Sequence, residues 1–193
     1  SQRLAALTRA QSAGNGGAIP FSRFMELALY APGLGYYSAG ASKFGESGDS
    51  ATARELGPIS AACVAQSVAP VFQQLGADAR FLELGGGTGA FAEVALKRLM
   101  ELDALPDRYG ILEPSAQLRE RQRERLQERL VPPLFELVEW LDGPFADDWD
   151  GVLFANEVID ALPTPRFAIE AGEVNEEHAA IEAGELVGGL RPA

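Results

Sequence analysis

The period with which apolar residues recur changes near residue 79. From that point, short continuous apolar runs alternate with longer segments of helical spacing, which predicts buried strands separated by amphipathic helices. Such alternation predicts an α/β fold with a mostly parallel sheet and right-handed crossovers. The strands are predicted at 79–85, 108–113, 134–140 and 149–157, and the helices at 90–102 and after Ser115, a suitable N-cap.

Before this point, two helices are predicted. Residues 20–30 and 59–75 both have helical spacing, and Pro70 is expected to kink or end the second helix. Residues 1–19 end in the glycine-rich run "SAGNGGAI" and are expected to be mobile.

Two remaining segments contain neither continuous apolar runs nor helical spacing. The loop 31–58 contains six glycines, and a loop of this length inside a domain is typical of a functional element. After Pro165 the sequence alternates and contains two Ala-Gly pairs, which predicts short antiparallel strands rather than another crossover.

Composition limits the classes of function. A net charge of −12 disfavours nonspecific nucleic-acid binding. The single cysteine, Cys63, excludes an internal disulfide and is expected to be buried, and the single histidine, His178, cannot form a histidine-rich metal site. No HExxH, CxxC or P-loop pattern, signal-peptide-like start or apolar run of ~20 residues occurs. We therefore predict no metal, no nucleic-acid partner, no membrane span and a cytoplasmic location.

A glycine-rich turn links the first predicted strand to its helix. Such a turn lets a ligand approach the backbone and presents the amides of a helix N-terminus. The spacing Gly85-x-Gly87-x-x-Ala90 matches a loose dinucleotide fingerprint, which alone is a weak signal. The fuller pattern adds Gly89 and Glu83, whose carboxylate suits the ammonium of an amino-acid tail better than a pyrophosphate. The alternative is a tight turn that binds nothing.

Other polar residues follow predicted strands. Glu113 ends the second strand, where an acid can hold a ribose diol, although the helix dipole would also favour a surface glutamate there. Asn156, Glu157 and Asp160 follow the fourth strand at the edge where open α/β sheets bind ligands. A carboxylate pair there could hold a cationic acceptor, and the alternative role is helix capping.

Two features favour structural roles. The arginine-rich helix after Ser115 alternates Arg and Glu at helical spacing, which predicts a solvated face paired within the helix. Asp142 follows the third strand and is in place to meet an adenine amino group, but an ordinary turn acid is the favoured interpretation.

Together, five stretches of the chain resemble the MidA-type S-adenosylmethionine-dependent methyltransferases. This bacterial family is related to the mitochondrial complex I assembly factor that methylates an arginine. The glycine loop is shared by many methyltransferases, whereas its combination with "GYY" and "NEVIDALP" is far more specific. The stretches fall in order between residues 19 and about 170: "IPFSRFMELALYAPGLGYY", "KFGESGD…TARELGP", "FLELGGGTGAFA", "LEPSAQLRERQ" and "ANEVIDALP".

The resemblance implies a role for each motif. It implies that Asn156, Glu157 and Asp160 line the acceptor side and act in catalysis. Ser50 and Arg54 stand where the family usually has Phe and Pro, which changes the packing expected of the long loop. The residues implied to bind the donor are Glu83, Gly85, Gly87 and Gly89 as its loop, Glu113 as its ribose ligand, and Gly48, Asp49 and Thr52 as its cover.

The resemblance also implies a fold and a function. The expected fold is a Rossmann-like methyltransferase domain, with residues 1–75 as a helical extension carrying the covering loop and residues 76–193 as the domain's N-terminal part, ending in a β-hairpin insertion. The chain is expected to be truncated at its C-terminus, because it has fewer crossover strands than a methyltransferase sheet. The expected function is methylation of an arginine of a partner protein, with a respiratory-complex subunit as a candidate and a mitochondrial-matrix counterpart in the related family. The alternatives are a non-catalytic assembly factor with a vestigial donor pocket and an NAD-dependent dehydrogenase.

Overall fold

The computed structural model describes residues 2–37 and 57–193. Contacts divide the chain into two compact units. The described residues of the antiparallel unit are 2–37 and 160–193, and those of the α/β unit are 57–159.

The described helices and strands follow one another in chain order. None of these helices is both long and apolar enough to cross a membrane. The elements are α1 (Gln2–Ser12), β1 (Ile19–Pro20), α2 (Phe21–Tyr30), α3 (Pro58–Leu75), β2 (Arg80–Leu84), α4 (Ala90–Glu101), β3 (Arg108–Leu112), α5 (Ala116–Arg129), α6 (Pro132–Phe135), β4 (Val138–Leu141), β5 (Gly151–Ala155), a 3-10 turn (Ile159–Ala161), β6 (Phe167–Glu170), β7 (Glu173–Glu182) and β8 (Glu185–Pro192).

The α/β unit contains a parallel sheet in the order β4-β3-β2-β5. Leu82 of β2 lies opposite Gly110 of β3 and Leu153 of β5, so the carboxyl ends of these strands meet at one edge. Phe81 and Leu82 point to opposite faces and are 0% and 1% exposed. Burial on both faces explains the continuous apolar pattern of this strand. The predicted α/β class with a mostly parallel sheet is confirmed.

Aromatic side chains join the helices of this unit to its sheet. The ring of Phe81 stacks on Tyr109 at 4.7 Å between centroids and on Phe72 of α3 at 6.0 Å. Phe91 of α4 stacks on Phe154 of β5 at 4.2 Å. These contacts hold α3 and α4 on the sheet and fix the start of α4 next to the ends of the strands.

The structure corrects two points about α3: the helix does not end at Pro70, and Cys63 is not buried, while the kink expected as the alternative at Pro70 stays a prediction. The helix continues through Pro70 to its last turn, because a stripe formed by Ala65, Ala69 and Phe72 stays buried past the proline. Packing of this stripe compensates for the hydrogen bond that proline cannot donate. Cys63 is exposed rather than buried, since it lies off the stripe.

The third strand and the arginine-rich helix also differ from expectation. Residues 134–140 do not form one strand, because Pro132–Phe135 makes a short helix with prolines at its start and the strand begins at Val138. The predicted pairing within α5 is present in part, because Arg123 binds Glu120 at 3.8 Å and Arg129 binds Glu128 at 3.9 Å, but other arginines of the helix bind outside it. Arg125 binds Glu93 of α4 at 2.9 Å, which joins two helices.

The antiparallel unit contains the strands predicted after Pro165. β7 pairs with β6, β8 and β1. Two-residue turns connect β6 to β7 and β7 to β8. The φ angles are 53° and 87° at Ala171 and Gly172 in the first turn, and 48° and 94° at Ala183 and Gly184 in the second. Positive φ at both turn residues produces the twist that hairpins need. The predicted hairpins are confirmed.

The N-terminal part of this unit is more regular than expected. The segment 1–19, expected to be mobile, contains the helix α1, and Ile19 pairs with Ala179 of β7 and is 1% exposed. The helix predicted over 20–30 is present as α2. The proposed division into domains at residue 75 stays a prediction.

Candidate functional site

Five residues form the turn between β2 and α4. Three of them, Gly85, Gly87 and Gly89, have φ of 68°, 53° and 81°, a region that side chains other than glycine rarely adopt. Gly89 is the N-cap of α4 in the left-handed conformation. The turn, hereafter the glycine loop (residues 85–89), therefore depends on glycine for its backbone shape and ends at a helix N-terminus.

Gly86 is required for a different reason, which is space. A Cβ at this position would stand 2.9 Å from Ile111 Cγ2 of β3 and 3.1 Å from Gln122 Nε2 of α5. The glycine loop thus lies directly against the end of the sheet and the inner face of α5.

We expect Gly86→Ala to lower the free energy of unfolding by about 2 kcal/mol, because the added methyl group overpacks this contact. Gly143→Ala is the matched control: a Cβ there meets no described atom within 4 Å. Its stability should stay within about 0.5 kcal/mol of wild type. Urea unfolding of both variants measures the difference, and equal stabilities would contradict the close approach at Gly86.

Glu83 stands just before the glycine loop and is buried. It is 3% exposed, and the hydroxyl of Tyr109 donates a hydrogen bond to its Oε2 at 2.8 Å. Burial raises the pKa of Glu83 to about 7, the hydrogen bond from Tyr109 opposes the rise, and the charge of Glu113 adds to it. Burial also raises the pKa of Tyr109 well above its usual value, so the phenol keeps its proton. A carboxyl group that ionises near neutral pH inside the protein favours a cationic ligand.

A cleft opens at the glycine loop and Glu83 is part of its wall. The hydroxyl oxygen of Thr88, also in the wall, is buried and has no hydrogen-bond partner among the described residues. A buried hydroxyl without a partner is costly, so this atom is ready to bond a ligand. The described lining consists of Glu83, Leu84, Gly85, Gly86, Gly87, Thr88, Ala90, Phe91, Phe154 and Asn156.

Glu113 lies behind the loop, and the described lining of the cleft does not include it. The residue is 4% exposed. Its Oε1 accepts a hydrogen bond from the Ser115 amide at 3.0 Å, and its Oε2 accepts one from Gln122 Nε2 at 3.5 Å. Burial raises the pKa of Glu113, although these hydrogen bonds oppose the rise. The carboxyl group is therefore held in a fixed orientation at the end of β3.

Gln122 is a residue of this site that the sequence analysis missed. It is 0% exposed, and its Nε2 also donates to the Gly87 carbonyl at 2.9 Å. A signal was present: Gln122 stands midway between Leu118 and Leu126 on the buried face of α5, where an apolar residue is the rule.

Ser115 and Arg119 anchor the start of α5. The hydroxyl of Ser115 accepts a hydrogen bond from the Leu118 amide at 3.3 Å, which confirms the predicted cap. Arg119 donates to the carbonyls of Glu113 and Leu141 and binds Asp142 at 2.8 Å. Asp142 is therefore a turn acid with a structural partner, as favoured from the sequence.

Of the three predicted site residues that follow β5, one lines the cleft and two are exposed. Asn156 lines the cleft, and a Cβ at Gly85 would stand 2.8 Å from Val158 Cγ2, so this segment packs on the glycine loop. Glu157, between them, is exposed and has a φ of 52°. Asp160 is exposed and belongs to the antiparallel unit.

The backbone of Glu157 is unusual for its residue type. Left-handed φ values cost roughly 1 kcal/mol or more outside glycine and asparagine, and such residues cluster at functional sites. Gly48, Asp49 and Thr52, predicted to cover a ligand, lie outside the described residues.

Comparisons relate the chain to known proteins. A family model, Methyltransf_28, described as "Putative S-adenosyl-L-methionine-dependent methyltransferase", matches residues 63–191, more than half of the chain. Among solved structures, a COG1565 superfamily member from Burkholderia thailandensis bound to S-adenosyl-homocysteine is 43% identical, with a TM-score of 0.82, and the alignment covers 100% of this chain and 50% of that one. An uncharacterized ACR, COG1565 superfamily protein of the same organism is 42% identical, with a TM-score of 0.77, covering 100% and 48%. No curated protein matches. The chain spans about half the length of these two relatives.

Proposed function

The chain belongs to the Methyltransf_28 family of S-adenosyl-L-methionine-dependent methyltransferases, and from this we propose that it binds S-adenosylmethionine and methylates an arginine of a partner protein. The family also confirms the MidA-type resemblance of the sequence. Substrate, partner and activity belong to the proposal, because the chain spans half of its relatives' length.

The observation that carries the donor site is the buried Glu83 carboxyl group beside the glycine loop. An ammonium group next to Glu83 would favour its ionised form and offset the cost of burying that charge. S-Adenosylmethionine has such a group on its amino-acid tail, and the Thr88 hydroxyl offers it a further hydrogen bond. A nicotinamide dinucleotide has no ammonium to place there, so Glu83 favours the methyl donor over that alternative.

We assign three further groups to the donor. Gly85, Gly87 and Gly89 give the loop the left-handed backbone shape on which the ligand would lie, and a Cβ at Gly87 would meet no described atom within 4 Å, which leaves that position open to a ligand. The start of α4 adds amides that favour polar atoms. Glu113 would accept hydrogen bonds from the ribose hydroxyls, since it is already oriented by the Ser115 amide. The proposed cover from the long loop is Gly48, Asp49 and Thr52.

The acceptor site is assigned to Asn156, Glu157 and Asp160. The contact of Val158 with Gly85 sets the segment that contains Glu157 against the proposed donor loop. A carboxylate there can bind a guanidinium through charge-assisted hydrogen bonds, as arginine prefers. When bound, S-adenosylmethionine supplies a methyl group on a sulfonium. The protein then has to orient the acceptor nitrogen and accept the proton that this nitrogen loses when it is methylated.

A direct test compares ligands and then follows the methyl group. Full-length protein should bind S-adenosylhomocysteine in calorimetry and show no heat with NAD at the same concentration. Incubation with tritium-labelled S-adenosylmethionine and lysate should label a protein whose hydrolysate contains methylarginine. Binding without labelling would favour the non-catalytic assembly factor, tighter binding of NAD would favour the dehydrogenase, and label in another residue would remove arginine from the proposal. We also propose that the protein acts in the cytoplasm and that its substrate is a subunit of a respiratory complex.

A further inference from the structure

We infer that Gln122 is a positioning residue for donor binding: it holds the glycine loop at Gly87 and fastens the loop to the proposed ribose ligand, Glu113. The inference rests on the proposed function, because it names the residue that keeps the two parts of the donor site in fixed relation. Gln122 itself is 0% exposed, so it would act on the donor indirectly, through Gly87 and Glu113.

The hydrogen bonds of Gln122 match the chemistry of an amide. Its Nε2 donates to the Gly87 carbonyl at 2.9 Å and to Glu113 Oε2 at 3.5 Å, and its Oε1 accepts from Trp140 Nε1 of β4 at 2.9 Å. An indole N–H can only donate, whereas a carbonyl and a carboxylate can only accept. Trp140 therefore determines which way the amide points, and the NH₂ group is left facing the loop and Glu113.

This requirement is specific to the glutamine side chain. A methionine of similar length offers no donor to the Gly87 carbonyl, and a glutamate places an acceptor oxygen where the NH₂ group donates two hydrogen bonds. The loop is also in contact with the α5 backbone, since a Cβ at Gly89 would stand 3.4 Å from the Gln122 Cα. Without the amide, the loop would still pack against α5, but the Gly87 carbonyl would lose the hydrogen bond that fixes its position.

A purely structural role for a buried glutamine predicts lower stability and no particular pH dependence of binding. A positioning role predicts that Gln122→Glu makes binding depend on pH. The ionised carboxylate would repel both Glu113 and the Gly87 carbonyl, whereas the protonated form regains one donor. The titratable groups on the elements around Gln122 are Glu113, Glu83, Arg119, Arg123 and the pair of Arg125 with Glu93. All of them are present in wild type, so the ratio of affinities isolates what the new carboxyl group adds, including its coupling to Glu113.

The experiment measures the affinity for S-adenosylhomocysteine by calorimetry on the full-length protein, between about pH 6 and about pH 9, where a buried carboxyl group can titrate. Gln122→Met should bind about tenfold more weakly than wild type at every pH. Gln122→Glu should bind about a hundredfold more weakly at the alkaline end, and its ratio to wild type should fall towards the Gln122→Met value as the pH falls.

The two tryptophans provide a second, milder pair of variants if the Gln122 variants do not unfold cooperatively. Trp140→Phe removes the N–H that orients the amide and should weaken binding about fivefold, the value of one hydrogen bond. Trp149→Phe is the matched control, because Trp149 packs on Phe145 at 5.3 Å between centroids. It should bind as wild type does.

The outcomes separate the inference from the proposed function. A wild-type protein that binds no S-adenosylhomocysteine overturns the proposed function and the inference with it. If wild type binds, then Gln122→Met within about twofold of wild type, a Gln122→Glu ratio that is independent of pH, or equal affinities for Trp140→Phe and Trp149→Phe would each overturn the role of Gln122 alone.

Discussion

Glu157→Ala is expected to lower the rate of methyl transfer about a thousandfold and to leave the affinity for S-adenosylhomocysteine within about twofold of wild type. The reason is that Glu157 is exposed after β5, outside the described lining of the cleft, and is proposed to bind the acceptor guanidinium. Loss of a group that acts on the acceptor affects turnover but not donor binding. Initial rates with labelled donor and calorimetry on the same samples measure both quantities.

The backbone at Glu157 supplies sharp controls. Asparagine tolerates the φ of 52° and removes the charge, so Glu157→Asn should be as inactive as the alanine variant without its backbone strain. Glu157→Gly should raise the free energy of unfolding by about 1 kcal/mol and remain inactive. Glu185→Ala, at an exposed hairpin position, should leave the rate unchanged. Unchanged turnover in Glu157→Ala would remove this residue from the mechanism, and a lost donor affinity would move it to the donor side.

The sequence was informative wherever a signal is local. A continuous apolar run followed by Glu83 and the glycine loop predicted β2 and the turn, because a strand end, positive φ and a helix start all act within a few residues. The Ala-Gly turns after Pro165 were predictable for the same reason. The boundary of β4 was not, because two prolines favour a helical turn inside an apolar run and only the packing of Leu134 decides between the two.

The part of the site that could not be predicted depends on residues distant in the chain. Gln122 looks like a misplaced polar residue on α5 until its partners are known, and those partners are Gly87, Glu113 and Trp140 on three other segments. Glu113 was found from its position at a strand end, but its burial and its fixed orientation come from the glycine loop and α5 together. The fold brings these distant residues together, and the pattern of apolar positions in the sequence does not indicate which of them will meet.

Glu83→Gln is expected to weaken binding of S-adenosylhomocysteine about a hundredfold at about pH 8, because a buried carboxylate that binds an ammonium is replaced by a neutral amide. The same variant should be more stable than wild type without ligand. The pKa of Glu83 rises from 4.5 to about 7 on folding, chiefly through burial. Ionising it inside the protein therefore costs about 3 kcal/mol.

The sign of the pH effect follows from proton binding. Between the unfolded pKa of 4.5 and the folded pKa of about 7, the folded state holds a proton on Glu83 that the unfolded state has lost. Stability from this group is fully present below the lower value and is lost as the pH rises through the higher one. Wild type and Glu83→Gln should thus unfold at similar temperatures near the lower value, and the variant should gain several degrees above the higher one. The pKa of Glu113 is also raised, but this group is common to both proteins.

Ligand binding should show the opposite trend, because the ammonium requires the ionised form. The affinity of wild type should fall about tenfold for each pH unit below about 7, whereas that of Glu83→Gln should change little, so that the two converge in acid. Tyr109→Phe removes the hydroxyl that opposes the rise in the Glu83 pKa. In this variant the pH midpoint of the affinity change should therefore lie above that of wild type. Thermal unfolding and calorimetry over the same pH series test both trends. A wild-type affinity that is flat across neutral pH would mean that Glu83 does not meet the ammonium, even if the stability difference appears, because the two trends depend on the same carboxyl group but only the second requires the ligand.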